Sequence, residues 1–200
     1  MNLWTAAALI AFVAIGAAFR FWGLDKDSLW YDEIASWHTS GHERIAAVVF
    51  LDRDWHLHPP GYHLMLHVVQ RTVGESEFAL RLPSAIMGLL CVPLMFVLGT
   101  RIYSRTVGLI AAGLFAVLLQ PVYYSQEARP YAGLLLWVIL GTYLWTFLRE
   151  RMTKSARKWA AFAFAYGTTA VLACYWHYFG LLVTGLQATA LVLLSVRDRR

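Results

Sequence analysis

Pro60-Gly61-Tyr62-His63-Leu64-Met65-Leu66-His67-Val68-Val69-Gln70-Arg71-Thr72-Val73-Gly74 is the stretch on which the topology of this 200-residue chain turns. It is apolar enough to invite a membrane crossing. It is too short to make one, because a spanning helix needs about 20 apolar residues. Its polar residues His63, His67, Gln70 and Arg71 recur at i, i+4, i+7 and i+8, and Leu64, Met65, Leu66, Val68 and Val69 fill much of the rest. That amphipathic pattern predicts a helix lying in the plane of the membrane interface. Its polar face is expected to point to the watery side, and the helix to guide a lipid tail.

Charge on either side of the stretch supports this reading. If 60–74 does not cross, segments 101–105, 149–158 and 197–200 share one side and hold ten of the 17 basic residues but only two of the 12 acidic ones. The other side keeps seven basic and ten acidic residues. Cytoplasmic loops carry the excess of Lys and Arg, so both termini are expected to be cytoplasmic. The net charge of +5 is therefore a topology signal. A nucleic-acid site would need a basic, aromatic-laced face on a soluble domain, and no nucleic-acid partner is expected.

Composition agrees. The chain is 59% hydrophobic and 14% charged, against roughly 25% charged in a soluble domain. Apolar runs predict six spans, at 3–24, 82–102, 107–123, 131–148, 159–175 and 179–196. The expected fold is an all-α integral membrane module over 1–200, with one large external segment, 25–81, carrying interfacial helices. No Lys or Arg precedes the first run, so it reads as an uncleaved helix despite the cleavage-like Gly16-Ala17-Ala18, with Arg20 reaching out to the headgroups. Pro83 and Pro130 are expected at or near the first turns of helices. Pro93 should kink the second span, and Pro121 should disturb the end of the third. Cys91 and Cys174 fall in apolar runs and suggest neither disulfide nor metal cluster.

On this topology the external face collects five polar clusters. They are Trp30-Tyr31-Asp32-Glu33; His56-Leu57-His58-Pro59-Pro60; Glu75, Glu77 and Arg81; Tyr123-Tyr124-Ser125-Gln126-Glu127-Ala128-Arg129-Pro130-Tyr131; and, more weakly, Tyr175-Trp176-His177-Tyr178. Each has a plainer reading. Asp32 and Glu33 suit the first turn of a helix capped by Asp27 or Ser28. Glu77 and Arg81 are an i, i+4 pair, and Glu127 and Arg129 suit headgroup anchors. His56 and His58 suit a proline-set turn. His63 and His67 have metal-ligand spacing without the glutamate of a zinc-protease motif, and a plain polar face is favoured. Trp176-His177-Tyr178 reads as an aromatic belt.

The ordered series LWYDEIAS, HPPGYHLMLH, GESEFALRLPSA and YYSQEARPYA resembles the GT-C membrane glycosyltransferases. It is most similar to the bacterial branch related to dolichyl-phosphate-mannose protein mannosyltransferases and aminoarabinose transferases. The resemblance implies a polyprenyl-phosphate-linked sugar donor, a sugar, lipid or protein acceptor, and chemistry on the extracytoplasmic face of a bacterial inner membrane. It also implies an acidic residue in the first external loop, carried here by Asp32 with Glu33 beside it. Such enzymes are more than twice this long, so the chain is expected to be the N-terminal part of one.

The residues suggest roles within that frame. Asp32 is the expected base for the acceptor, and displacement without a covalent sugar intermediate inverts the anomeric carbon. Arg129, then Arg81, then His58 are expected at the donor phosphate, because a guanidinium fork matches phosphate oxygens. Tyr124 and Tyr131 are expected to hydrogen-bond the donor, and Glu127 to bind the acceptor or assist the base. Asp32 and Glu33, if helical, point about 100° apart, so Glu33 is expected to orient the acceptor or hold the loop. No cofactor is expected, and a divalent metal is left open. Two other readings stand beside this one. One is a non-catalytic lipid-binding module or half-transporter. The other is a metal-dependent interfacial hydrolase using His56, His58 and the acids.

Overall fold

Long apolar runs give long helices here, and charge and proline set where they stop. The structure is a computed structural model that describes residues 2–50, 58–149 and 156–197. Among the described residues there are ten helices and no strand. They are α1 (Leu3–Phe21), α2 (Tyr31–Ser40), α3 (Ile45–Phe50), α4 (Gly61–Thr72), α5 (Glu77–Ile102), α6 (Arg105–Val117), α7 (Leu119–Ser125), α8 (Tyr131–Arg149), α9 (Ala156–Trp176) and α10 (Phe179–Arg197).

Three of these, α1, α5 and α8, are long and apolar enough to cross a membrane, and α6 with α7 makes a fourth if the bent pair is one span. Helices α9 and α10 cover the remaining expected spans, and α10 is apolar over Phe179–Leu194. Large apolar side chains such as Ile10, Ile110, Phe164 and Leu193 lie exposed along these helices, a surface suited to lipid rather than water. The molecule is a membrane-type all-α protein.

Helix α5 is the pillar against which α1, α4, α6, α7 and α8 pack. Its Cys91 and Val92 meet Ala112, Phe115 and Ala116 of α6 and Leu136 and Ile139 of α8 in one core. A Cβ added to Gly99 would lie 2.8 Å from the Gly108 Cα. Small residues at that crossing let the two backbones touch, which is how helices associate where lipid removes the hydrophobic drive. A second core of Tyr62, Leu66, Leu80, Ala128 and Trp176 ties α4 to α5 and to the end of α9.

Three expectations need correction. Pro83 does not open α5. The helix starts a turn and a half earlier, where the Ser76 side chain accepts from the Ala79 amide and Glu77 occupies the first turn. It then runs as one element through Pro83 and Pro93. Pro121 does more than disturb an end. Its ring would clash with the Val117 carbonyl of a continuous helix, so α6 stops at Val117, Leu118 turns extended, and α7 leaves at 57°. Arg20 does not reach for headgroups. It is fully buried and donates to the carbonyls of Gly16 (3.1 Å), Ala116 (3.0 Å) and Phe115 (2.9 Å). The break in α6 frees carbonyls in the buried interior, where a polar group left unpaired costs roughly 1–3 kcal/mol.

The external segment reverses another expectation. The polar face of α4 points inward, not to water. His67 Nδ1 donates to the Ser40 carbonyl (2.8 Å), Gln70 to the Trp37 carbonyl (2.9 Å) and Arg71 to the His42 carbonyl (3.2 Å). These are carbonyls of the last turn of α2 and just beyond, where the helix ladder runs out; the Trp37 carbonyl also accepts from the Gly41 amide at 3.0 Å. His63, His67 and Gln70 are buried, while Val68 and Val73 are exposed beside Arg71 and Thr72 at the end of the helix.

Candidate active site

The site begins at the N-terminus of α2. Trp30 caps the helix with extended backbone, and its amide donates to Glu33 Oε2 at 3.3 Å. Neither Asp27 nor Ser28 is the cap. Acids in a first turn suit the positive end of the helix dipole, and the helical twist sends Asp32 and Glu33 to different places.

Glu33 is fully buried. Its Oε1 accepts from Arg81 Nε (2.8 Å) and the Ala128 amide (2.7 Å), and its Oε2 accepts from Arg81 Nη2 (2.7 Å) as well as Trp30. Arg81 is equally engaged. Its Nη1 donates to the carbonyls of Leu24 (2.7 Å) and Asp27 (2.8 Å), and Nη2 also to Ser28 (3.3 Å). A guanidinium has five N–H groups, and all five are taken. The pair therefore ties the end of α1, the start of α2, α5 and the turn before α8 at one point.

Asp32 is the contrasting neighbour, with its side chain 37% exposed. Its Oδ2 lies 3.5 Å from Nη2 of Arg129, a residue only 7% exposed. Arg129 Nη1 donates to the Asp32 carbonyl (3.1 Å) and reaches Ser36 Oγ (3.4 Å), one helical turn on. Its Nη2 donates to His58 Nε2 (2.9 Å), so His58 accepts as a neutral ring. Burial, the Arg129 charge and His177 push the His58 ring down to about 4. Arg129 Nε is buried with no partner. The guanidinium is thus held at both terminal nitrogens and left unpaired at its buried Nε.

An aromatic wall surrounds it. Arg129 lies 5.7 Å from the Tyr131 ring centre, and Tyr131 lies 4.6 Å from Tyr124 and 5.6 Å from His177. His177 lies against His58, ring centres 4.6 Å apart and planes tilted by 36°, and like it is pushed down by burial. Behind the wall an apolar groove of about 360 Å³ follows the bend between α6 and α7, lined by Phe115, Pro121, Tyr124, Tyr131, Leu134 and Phe179 among others. Glu127 is buried with Oε2 unpartnered, and burial raises its carboxyl above the usual range.

The structure thus gathers Asp32, His58, Glu127, Arg129, Tyr124 and Tyr131 around one spot, and gathers Glu33 and Arg81 into the tie beside it. His177 and Ser36 join the site without having been singled out as site residues. Ser36 had a signal, the i+4 spacing from Asp32, and His177 had only its place in an aromatic run. His56 lies outside the described residues. Among the described residues no group of three or more His, Cys, Asp or Glu is arranged to hold a metal, and His67 is committed to the Ser40 carbonyl.

No curated protein and no solved structure matches the chain. Residues 57–199 do match a protein family, described as dolichyl-phosphate-mannose-protein mannosyltransferase. The match takes in the α5 tie, the Arg129 turn and the aromatic wall, and begins after Asp32 and Glu33. A membrane-type helical chain with a guanidinium walled by aromatics, matched over most of its length, belongs to the dolichyl-phosphate-mannose-protein mannosyltransferase family of GT-C membrane glycosyltransferases.

Proposed function

We propose that the protein transfers a sugar from a polyprenyl-phosphate donor to an acceptor at the extracytoplasmic membrane face, with inversion. The observation that carries this reading is Arg129: a buried cation with its Nε unpartnered, set between the Asp32 carboxylate and an aromatic wall that borders an apolar groove. Cations that meet developing phosphate charge are the main help a good leaving group needs. Arg129 fills that role, and the saturated Arg81 does not share it. The neutral His58 holds Arg129 in place by accepting its bond.

In this reading the donor phosphate draws Arg129 from Asp32. The carboxylate then takes the proton of the acceptor hydroxyl or amine as that atom attacks the anomeric carbon. The bond to the phosphate oxygen breaks on the opposite face, so the configuration inverts. Tyr124 and Tyr131 hold the sugar or phosphate, and Glu127 receives the acceptor. Glu33 holds the loop. The lipid chain follows the groove. Six spans, cytoplasmic termini and a bacterial inner membrane are part of the proposal, supported by the one-sided basic charge. The α4 helix lies at the interface with its apolar side toward lipid.

Photo-crosslinking of a polyprenyl-phosphate sugar tests the reading. Wild-type protein in membranes should label near Arg129, and Arg129→Met should lose labelling and about 10²–10³ in turnover. Equal labelling of both proteins would overturn the assignment.

A further inference from the structure

Two helix ends in this fold are closed by each other's side chains. Arg20 of α1 donates to Ala116 and Phe115, the carbonyls that the break in α6 leaves open. Gln126, just past α7, donates through its amide to Phe19 (2.8 Å) and Trp22 (3.1 Å), the open carbonyls at the end of α1. Between them sits Gly88 of α5. A Cβ there would run into Ser125 Oγ and come within 3.3 Å of Arg20 Nε. Three helices are therefore locked around the bend. The chain leaving it makes one tight turn, with the Arg129 amide donating to the Glu127 carbonyl at 2.8 Å, and then reaches the aromatic wall.

We infer that Arg20 and Gln126 form a reciprocal clasp that positions the 126–130 turn, and through it Arg129, for the donor phosphate. Arg20 bonds the backbone of Phe115, which lines the groove, but neither residue bonds Asp32, Arg129 or their side-chain partners, so both are positioning residues. Arg20 carries its charge without a carboxylate partner in a fully buried place. A charge in such a place is costly and retained for a function, and capping the broken span is the function the contacts describe. The clasp stands on geometry alone. Its effect on turnover rests on the sugar-transfer reading.

Hydrogen exchange read by mass spectrometry, together with transfer kinetics, tests the clasp on the membrane-embedded protein. Arg20→Met should raise exchange across 119–130 by about tenfold, as expected for a local opening, while α5 and α8 keep wild-type protection. Arg20→Lys should fall between, since a lysine still donates to one carbonyl. Gln126→Ala, a milder cut of the same clasp, should give the same local pattern should Arg20→Met fail to fold. Turnover should fall by about 10²-fold in Arg20→Met, chiefly in kcat, as for a group misplaced by an ångström. Unchanged exchange in 119–130, or a rise shared by every helix, overturns the clasp. A local rise with kcat and KM unchanged overturns its positioning role. A local rise in a protein whose wild type transfers no sugar keeps the clasp and removes the sugar-transfer reading instead.

Discussion

Two carboxylates stand side by side at the start of α2, each facing an arginine, and their surroundings differ in every respect. Glu33 and Arg81 meet in a bidentate contact at 2.7 and 2.8 Å, away from water, with the remaining lone pairs and N–H groups paired to backbone. Asp32 and Arg129 meet singly at 3.5 Å, with the acid partly open and one guanidinium nitrogen unpaired. A group with every hydrogen bond made has nothing left to offer a ligand, and costs stability when cut. A group with spare capacity can bind or move a proton. Satisfaction, rather than burial alone, separates the two.

That contrast can be broken from either side. The largest effect is expected for Asp32→Asn. A positioned base contributes typically 10²–10⁴-fold, and transfer should fall by about that factor while thermal unfolding in detergent stays as in wild type. A matching loss of stability would make Asp32 a second tie and erase the distinction. Next comes Glu33→Ala, which strands the Arg81 charge in a buried site. Removing one partner of such a pair costs about 3–5 kcal/mol, so the variant should be depleted from membranes and melt early. A stable Glu33→Ala protein with lost transfer would move catalysis to Glu33.

The smallest effect concerns pH. The His58 ring is lowered from 6.5 to about 4, so the folded state disfavours its proton. The stability this contributes is fully present above pH 6.5 and lost as pH falls through about 4. Donor binding should therefore stay level down through pH 6.5 and drop with a midpoint near 4. His58→Gln, which keeps an acceptor for Arg129, should remove that drop. A midpoint near 6.5 would show that the surroundings do not lower the ring, and a level profile through pH 4 would show that donor binding does not depend on a neutral ring.

Much of this arrangement is legible in the residues. Apolar length marks α1, α8 and most of α5, and the spacing in 60–74 marks α4. The twist of a helix says that Asp32 and Glu33 diverge. It does not say which turns inward, because that depends on where Arg81 arrives from α5. Arg81 itself reads as a phosphate ligand, since the Leu24, Asp27 and Ser28 carbonyls that occupy it lie 57, 54 and 53 positions away in sequence. The inward turn of Arg20 hides for the same reason: beyond the Gly16 carbonyl of its own helix, its partners are 95 and 96 positions away and are open carbonyls because Pro121 breaks their helix. The polar face of α4 is visible in sequence, while the carbonyls of α2 that draw it inward are not.

The five engaged hydrogens of Arg81 carry a consequence for substitution. A lysine in its place would keep the positive charge but bring three hydrogens, on a single point, to five acceptor contacts spread over a plane. Like-for-like by charge would be unlike by valence. At least two of the five contacts would go unmade, so the exchange usually regarded as mildest would loosen three segments of chain at once.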